Sequence, residues 1–304
     1  MSWYEVLDEK IREYLPDLRV AESEPMSRHT SFRVGGPAKR MAFPSSGEQL
    51  VVLMGFAGAC GARPLVIGNG TNLLAPDEGL DRLVVCTGEM GMLERTGEEP
   101  VIRAGAGVPL ARLADFAQKN GLSGLAFAHG IPGTVGGGVC MNAGAYGGEL
   151  KQVLTAVTAL LPDGVRTLSN QELELGYRRS FFTDHPEAVA LSAEFSLTPG
   201  DPAAIRAEME ELMRRRKASQ PLEYPSAGST FKRPEGHFAG TLIDQCGLKG
   251  LTVGGAQVSE KHAGFIINRG GATAGEILRL IAQVQERVLD ATGVRLEPEV
   301  RIVR

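Results

Sequence analysis

Three glycine-rich turns constrain the fold of this chain more than any other feature of its sequence. The longest is GIPGTVGGGVCMNAGAYGG, residues 130–148, which contains eight glycines and no charged residue. The other two are GNGTN (68–72) and GAGVP (105–109), and each follows a short run that predicts a β-strand. Glycine adopts positive φ and lets backbone N–H groups approach an anion closely. The turns therefore predict a chain of short strands and helices whose loops expose backbone donors.

The familiar phosphate-binding signatures do not account for these turns. A Walker A loop ends in GK[ST], and no such tripeptide occurs in the chain. A dinucleotide fingerprint of the form GxGxxG requires a third glycine, but Leu73 and Leu110 stand at that place in the first two turns. The Walker A interpretation therefore fails for lack of GK[ST], and the dinucleotide fingerprint fails at the third glycine in both turns.

Two interpretations of the turns remain open. Taken singly, each turn is most simply a tight connection between strands, since glycine is the common turn residue. Taken together, the uncharged turns favour a bound dinucleotide-like cofactor whose diphosphate accepts neutral hydrogen bonds. Small polar and apolar residues are interleaved with the glycines and suit a diphosphate and a flat aromatic ring: Thr71, Asn72, Ile131, Thr134, Val135, Met141 and Asn142.

Length and composition narrow the class of protein. A chain of 304 residues fits two or three domains, and a change of composition at TPGDP places a boundary near residue 202. The net charge of −4 argues against nucleic-acid and membrane-surface binding. The four cysteines are far apart, which argues against a metal site or a disulfide framework. No secretory signal and no apolar run of about 20 residues is present, so we expect a cytoplasmic protein.

Hydrophobic periodicity predicts several elements. The first residues predict an amphipathic helix with Val6, Ile11 and Leu15 inward, and LTAVTALLPDGVRTLS predicts a hairpin. A helix is predicted over 274–291, because Thr273 and Glu276 form a capping box ahead of an apolar stripe. VRLEPEVRIV, residues 294–303, predicts a strand. The stripe consists of Ile277, Leu280, Ile281, Val284 and Val288.

Six motifs, in order along the chain, resemble those of one enzyme family. They are RHTSFRVGGPA (28–38), IGNGTNLLAPDEG (67–79), GIPGTVGGGVCMNAGAYGGE (130–149), YRRSFF (177–182), PSAGSTFKRP (225–234) and LEPEVRIV (296–303). Together they closely resemble the UDP-N-acetylenolpyruvoylglucosamine reductase (MurB) family. HAGFIIN (262–268) runs on to the last helix with no long tyrosine-bearing insertion, which is similar to the shorter, second type of that family.

The resemblance implies a fold and a reaction. The implied fold class is α+β, with an FAD-binding domain of the vanillyl-alcohol-oxidase (PCMH) type over residues 1–202 and an α/β substrate-binding domain over 203–304. The FAD-binding domain would have two subdomains divided near residue 90, and the C-terminal strand would return to it. The implied reaction is the NADPH-dependent, FAD-mediated reduction of a UDP-sugar enolpyruvyl ether in peptidoglycan precursor synthesis. The partner is then this small-molecule substrate, and we expect a monomer.

By the same resemblance, the glycine-rich motifs lie along FAD. The residues implied to bind the cofactor are Gly68, Asn69, Gly70, Thr71, Asn72, Leu73, Gly130, Ile131, Pro132, Gly133, Thr134, Gly136, Gly137, Asn142, Ala143 and Gly144.

Three residues match the catalytic positions of the family. Arg178 would bind the substrate carboxylate with the paired N–H donors of its guanidinium. The alternative is that Arg178, next to Arg179, is an ordinary surface arginine. Ser229 would donate a proton. The alternative is that its hydroxyl only stabilises a turn, which is the usual role of a serine in such a loop. Glu299 would stabilise the enolate together with Arg178. Glu297, two residues away, is expected on the same face of the strand.

Four further residues match substrate-binding positions, and each has a plainer alternative. Lys217 would bind the diphosphate, but it also ends the basic run 214–217, where a helix C-terminus favours cations. Tyr177 would stack on a ring, although packing explains it as well. His262 falls at a substrate-binding position of the family, but a histidine without other polar residues of a motif around it more commonly has a structural role. Arg233 stands where some relatives have asparagine.

Two other functions are consistent with the same features. One is another flavin-dependent oxidoreductase on the same scaffold, because a fold does not determine a substrate. The other is a non-catalytic module that binds a flavin or a nucleotide sugar. The presence of Arg178, Ser229 and Glu299 together favours the reductase over both.

Overall fold

The computed structural model describes residues 1–303 of the chain. The helices in this range are α1 (Trp3–Tyr14), α2 (Gly47–Ala59), α3 (Leu110–Lys119), α4 (Val135–Cys140), α5 (Phe181–Asp184), α6 (Pro202–Ser219), α7 (Ala239–Gln245) and α8 (Ala274–Thr292). None of them combines the length and the apolar character that a bilayer crossing requires.

The strands of the described residues are short, and most are joined by turns. They are β1 (Arg19–Pro25), β2 (Pro37–Phe43), β3 (Leu65–Ile67), β4 (Leu73–Leu74), β5 (Leu80–Cys86), β6 (Leu93–Arg95), β7 (Val101–Gly105), β8 (Leu122–Ser123), β9 (Gly144–Ala145), β10 (Gly148–Glu149), β11 (Leu154–Leu161), β12 (Gly164–Ser169), β13 (Val189–Ser196), β14 (Thr198–Pro199), β15 (Ser226–Ser229), β16 (Thr252–Val253), β17 (Ala256–Val258), β18 (Phe265–Asn268) and β19 (Arg301–Ile302).

The chain forms two compact units, each assembled from separate segments. Unit 1 comprises Met1–Ala21, Arg40–Asn69 and Arg82–Arg216. Unit 2 comprises Glu22–Lys39, Gly70–Asp81 and the chain from Lys217 onward. The division into an FAD-binding domain over 1–202 and a substrate-binding domain over 203–304 remains a prediction about function.

Unit 1 contains a five-stranded antiparallel sheet in the order β12-β11-β13-β7-β6. The predicted hairpin is confirmed, since β11 and β12 pair antiparallel up to Leu161 and Gly164. Gly164 has a φ of +126° at this turn, a conformation that glycine adopts without steric cost. One face of α3 packs into the same core through Leu110, Leu113 and Ala117, all of which are buried.

A second core of unit 1 forms around α1 and α2. Leu7 and Ile11 of α1 pack with Leu50 and Leu53 of α2. The expectation that Val6 points inward is wrong, because Leu7 and not Val6 is buried. Residues four apart share a helix face, so Leu7 lies above Ile11 whereas Val6 is turned away. A four-stranded sheet has the order β1-β2-β5-β3, in which β3 and β5 are parallel.

Unit 2 is organised around α8 and an antiparallel sheet in the order β15-β18-β17-β16. The predicted helix and its capping box are confirmed, with the Thr273 side chain accepting from the N–H of Glu276. All five residues of the predicted stripe are buried, and they pack with Val258 and Ile266 of the sheet. Burial of this stripe stabilises unit 2 by about 25 cal/mol per Å² of apolar surface removed from water.

The last residues do not form the single strand that was expected over 294–303. Only Arg301–Ile302 forms a strand, and it pairs parallel with β4. Pro298 lacks a backbone N–H and therefore cannot continue a ladder, and it makes one isolated bridge to Phe231. Glu297 and Glu299 consequently lie outside a strand, so the expectation of a shared strand face is also wrong.

Asp77, within the motif at 67–79, holds the start of α8. Its carboxylate accepts hydrogen bonds from the N–H of Ala274 at 2.7 Å and from the N–H of Gly275 at 2.9 Å. The first N–H groups of a helix have no intrahelical partner, and a carboxylate there also complements the helix dipole. Asp77 therefore adds a second cap to the one that Thr273 provides.

We expect Asp77→Ala to lower the free energy of unfolding by about 1 kcal/mol, the typical cost of removing a helix cap. Amide hydrogen exchange at Ala274 and Gly275 should accelerate as the first turn of α8 loosens. The control is Asp81→Ala, which removes an exposed carboxylate and should change stability by less than about 0.5 kcal/mol. Equal exchange rates in the two variants would contradict a capping role for Asp77.

Candidate active site

The glycine turn at 105–109 and the glycine-rich stretch at 130–148 are joined by backbone hydrogen bonds in unit 1. The N–H of Val135 donates to Val108 at 2.8 Å, and the N–H of Gly136 donates to Ala106 at 2.8 Å. The N–H of Leu110 donates to Gly133 at 3.0 Å. Neutral backbone groups thus fix the start of α4 against the turn at 105–109.

The first turn lies on the same surface. The amide of Asn69 donates to the carbonyl of Pro132 at 3.0 Å. Gly68 packs so closely on Thr134 that a Cβ at Gly68 would collide with the threonine hydroxyl. Thr134 is itself buried, and its hydroxyl accepts from the N–H of Gly137 at 3.4 Å. Parts of all three turns therefore form one uncharged surface of unit 1.

The three consecutive glycines of α4 provide a test of whether a cofactor fits this surface. Each glycine in a helix interior costs about 1 kcal/mol relative to alanine. Gly136 and Gly138 have packing reasons, because a Cβ would come within 3.0 Å of Ala106 and 3.1 Å of Leu110, respectively. Gly137 is exposed, and the nearest atom to a Cβ there is the Thr134 hydroxyl at 3.6 Å. A glycine without a packing reason on this surface is consistent with a ligand that covers it.

The remaining predicted cofactor residues of unit 1 have definite places. Ala143 is buried, and its N–H donates to Gly138 at 2.8 Å. Gly144 pairs with Glu149 in the small β9–β10 hairpin. Ile131 is partly buried against the core of unit 1. Asn142 is buried, and its side chain is hydrogen-bonded within the protein.

Gly130 lies against a residue that the sequence analysis did not single out. A Cβ at Gly130 would lie 3.0 Å from Cδ of Arg216. Burial lowers the pKa of Arg216 from its ordinary value, while Arg214 and Arg215 pair with Glu211 at the surface, each at 2.7 Å. Arg216 follows the buried residues Ile205 and Met209 at helical spacing, and that periodicity is the signal that distinguishes it from its neighbours.

The other half of the first turn belongs to unit 2. The carbonyl of Gly70 accepts from the N–H of Ser31 at 3.2 Å. The amide of Asn72 donates to the carbonyl of Glu299 at 3.1 Å, and Leu73 pairs with Arg301. Thr71 lies between them and is half-buried. This segment thus holds the chain on both sides of Val300.

Unit 2 brings two of the three predicted catalytic residues together. The N–H of Glu299 donates to the carbonyl of Thr230, the residue after Ser229, at 2.8 Å. Ser229 ends β15 and is exposed, and Glu299 is half-buried. Glu297 is 69% exposed and pairs with Lys232 at 3.4 Å. The two glutamates therefore differ in burial and in partner: Glu299 is half-buried and bonded to Thr230, whereas Glu297 is exposed and bonded to Lys232 through both its carbonyl and its side chain.

Arg178, the third predicted catalytic residue, lies in a tight turn of unit 1. Gly176 and Arg179 exchange two backbone hydrogen bonds, of 3.0 and 3.3 Å, and leave Tyr177 and Arg178 at the tip. Arg178 has a φ of +54°, which is rare for a residue with a side chain. Its guanidinium lies 5.4 Å from the centre of the exposed Tyr177 ring. Arg179 instead pairs with Asp184 at 2.7 Å.

The predicted substrate-binding residues of unit 2 are distributed over its surface. Lys217 is exposed, and its carbonyl accepts from Nζ of Lys261 at 2.7 Å, next to His262. Nδ1 of His262 accepts from the N–H of Gly264 at 3.1 Å, so part of the imidazole is engaged in a turn. Arg233 is exposed, and its guanidinium lies 4.5 Å from the centre of the Phe238 ring. Within residues 1–303, no group of His, Cys, Asp and Glu side chains is placed to hold a metal ion.

Two family models match separate parts of the chain. Residues 38–169 match the model of the FAD binding domain. Residues 220–303 match the model of the UDP-N-acetylenolpyruvoylglucosamine reductase C-terminal domain. The glycine turns at 68–72, 105–109 and 130–148 all lie in the first match, and Ser229 and Glu299 lie in the second.

Individual relatives are similar over nearly their whole length. A UDP-N-acetylenolpyruvoylglucosamine reductase of Agathobacter rectalis is 49% identical over 96% of this chain and 96% of its own. That of Pediococcus pentosaceus is 47% identical over 98% and 99%, respectively. The crystal structure of the enzyme from Thermus caldophilus superposes with a TM-score of 0.81 at 36% identity, covering 94% of this chain and 99% of its own. The predicted fold class, with its FAD-binding fold, is confirmed.

The ring of His262 provides a prediction about pH. Burial lowers its pKa below the ordinary 6.5, so the folded protein binds this proton less readily than the unfolded chain. The resulting stability is fully present above the unfolded pKa and is lost as the pH falls through the folded one. We expect the imidazole NMR signals, assigned with a His262→Gln variant, to titrate with a midpoint below 6.5. A midpoint above that value would indicate a nearby carboxylate and would contradict burial as the dominant influence on the pKa of His262.

Proposed function

The chain belongs to the UDP-N-acetylenolpyruvoylglucosamine reductase family of flavin-dependent oxidoreductases, and on that premise we propose that it reduces UDP-N-acetylglucosamine enolpyruvate to UDP-N-acetylmuramate with NADPH. This reaction supplies a precursor of peptidoglycan. The observation that supports the proposal is the backbone hydrogen bond from the N–H of Glu299 to the carbonyl of Thr230, at 2.8 Å, because it holds Glu299 beside the residue that follows Ser229 although the two are far apart in the sequence. A cytoplasmic location and a monomeric state remain predictions.

FAD is the cofactor, and the uncharged surface formed by the glycine turns of unit 1 is where we place it. The exposed backbone at Gly137 supports this placement, because the nearest atom beyond its chain neighbours and its own helix backbone is the Thr134 hydroxyl, 3.6 Å from where its Cβ would be. When bound, FAD supplies the hydride that the enolpyruvyl group takes up, having received it from NADPH. Backbone N–H groups bind a diphosphate without a cation, as they do in other anion-binding turns.

Arg178 binds the carboxylate of the enolpyruvyl group in this proposal. After hydride uptake at the terminal carbon, negative charge on the adjacent carbon spreads into that carboxylate. A guanidinium offers two parallel N–H donors to a carboxylate and so stabilises the charge as it develops. The tight turn at 176–179 supports this role, because it fixes the backbone of Arg178 before substrate binds.

Ser229 and Glu299 have the two remaining catalytic roles in this proposal. Ser229 donates its hydroxyl proton to the carbon adjacent to the carboxylate, and its exposure at the end of β15 leaves the hydroxyl accessible. Glu299 stabilises the enolate together with Arg178 in this proposal, and its backbone is held at the Ser229 segment by the hydrogen bond to Thr230. The exposed Lys217 binds the diphosphate of the substrate as a point charge.

The direct test separates the two half-reactions. Purified protein should be yellow, its flavin should be bleached by NADPH under anaerobic conditions, and the enolpyruvyl nucleotide should restore the colour without oxygen. In Ser229→Ala, reduction by NADPH should be unchanged, while reoxidation by the nucleotide should slow by about 10²- to 10⁴-fold, the usual contribution of a proton donor. Stopped-flow absorbance measures both steps.

Ser226→Ala is the matched control, because Ser226 lies on the same strand β15 and pairs with Ile267. Both half-reactions should be normal in this variant. Equal slowing of the two half-reactions in Ser229→Ala would show that the proton-donor role is wrongly assigned. A colourless protein that does not take up FAD would refute the proposed function as a whole.

Arg178→Lys tests the carboxylate contact. It keeps the charge and removes the fork of donors, and a hydrogen bond to a charged group is worth about 1.5–3 kcal/mol. We therefore expect reoxidation by the enolpyruvyl nucleotide to slow by about 10- to 100-fold. Arg179→Lys is the control, since Arg179 pairs with Asp184 and should leave the rate unchanged. Identical reoxidation rates in the two variants would show that Arg178 does not bind the carboxylate of the substrate.

A further inference from the structure

Asn142 is a buried polar residue whose side chain makes three hydrogen bonds within unit 1. Its Nδ2 donates to Oε2 of Glu149 at 2.8 Å and to the carbonyl of Gly176 at 3.0 Å. Its Oδ1 accepts from the N–H of Lys151 at 3.0 Å. An amide side chain has two donors and two acceptor lone pairs, so three of the four are used. Asn142 thus has little capacity left to bind a flavin through its side chain.

One of these bonds reaches the turn that carries Arg178. Gly176 closes that turn with Arg179, and its carbonyl is the group that Asn142 binds. Arg178 at the tip has a φ of +54°, a left-handed conformation that costs a residue with a Cβ about 1–2 kcal/mol. Such a conformation persists only where the surrounding structure determines it.

A second bond holds the turn from its other side. Ser180 is fully buried, and its hydroxyl donates to the carbonyl of Cys140 at 2.8 Å. The same hydroxyl accepts from the N–H of Phe182 at 3.2 Å. Gly176 and Ser180 flank Arg178 by two residues on each side, and their partners Asn142 and Cys140 are two residues apart at the end of α4. The turn is therefore bound at both ends to the glycine-rich stretch.

We propose that Asn142 and Ser180 are positioning residues for Arg178, which fix its guanidinium relative to the glycines of α4. This inference rests on the proposed function. Because α4 also carries the exposed Gly137, the two bonds tie the group that binds the substrate carboxylate to the surface assigned to FAD. The distance between the enolpyruvyl carbon and the hydride donor then depends on Asn142 and Ser180, although neither touches the substrate.

The test is Asn142→Gly, because glycine keeps the left-handed backbone that Asn142 adopts, with a φ of +40°, and removes the side chain. We expect reoxidation of the reduced flavin by the enolpyruvyl nucleotide to slow by about 10- to 100-fold, since small misplacements of a catalytic group have effects of this size. Reduction by NADPH and retention of FAD should be unchanged. Hydrogen exchange at the amides of Gly176 and Arg179 should accelerate in the same variant.

Asn170→Gly is the matched control. It removes the same side chain, whose Nδ2 also donates to two carbonyls, of Lys151 at 3.1 Å and of Leu154 at 2.6 Å. It should leave reoxidation and the exchange rates at Gly176 and Arg179 unchanged. Ser180→Ala removes the second bond without touching Asn142, and it should reproduce the selective loss even if Asn142→Gly does not fold.

A double-mutant cycle distinguishes positioning from general loss of structure. If Asn142 acts through Arg178, the change Asn142→Gly should slow reoxidation little further in an Arg178→Lys background. Additive effects would overturn the inference, and so would loss of FAD or equal slowing of both half-reactions. A wild-type protein whose reduced flavin does not react with the enolpyruvyl nucleotide would overturn the proposed function and the inference together. A reactive wild type with an unaffected Asn142→Gly variant would overturn the inference alone.

Discussion

The backbone of residues 130–144 is the element on which the proposed FAD surface depends. It gives hydrogen bonds to the turn at 105–109 through Val135 and Gly136, and it accepts one from Asn69 in the first turn. Because these bonds join neutral backbone groups, the surface is formed without a buried charge that would need a partner. Side chains such as Asn142 then attach the Arg178 turn to the same stretch.

In unit 2 the two proposed catalytic residues, Ser229 and Glu299, are brought near each other by the end of β15 and by a segment that is not a regular strand. Pro298 prevents a continuous ladder, so Glu299 is held by single hydrogen bonds from its own N–H to Thr230 and from Asn72 to its carbonyl. Thr230 is buried and is itself bonded to Gly264 and Ile266. The position of Glu299 thus depends on a buried residue that has no reactive role.

The elements that the sequence predicts well are those whose signals are local. The helix α8 could be predicted because its cap and its apolar stripe lie within 20 residues of each other. The hairpin at 161–164 could be predicted because the residues of its turn are adjacent in the sequence. The prediction of a strand over 294–303 was wrong because Pro298 interrupts the ladder and because the partners of this segment, Phe231 and β4, are both far away in sequence. The roles of Asp77, Asn142 and Arg216 could not be predicted for the same reason. Each of these residues contacts an element that is distant in the sequence. The proposed catalytic residues were identified only through the resemblance, because an isolated arginine, serine or glutamate has no distinctive pattern.

The discontinuous construction of unit 2 has a consequence for synthesis on the ribosome. Asn72 and Glu299 are bonded partners 227 positions apart in the sequence. At a translation rate of about 5–20 residues per second, the segment 70–81 waits roughly 10 to 45 s before its partner strand emerges. During that interval the apolar residues Leu73 and Leu74 lack their native neighbours, which favours transient association with a chaperone. The nascent chain is therefore most vulnerable to aggregation after the glycine turns are made and before the last segment arrives.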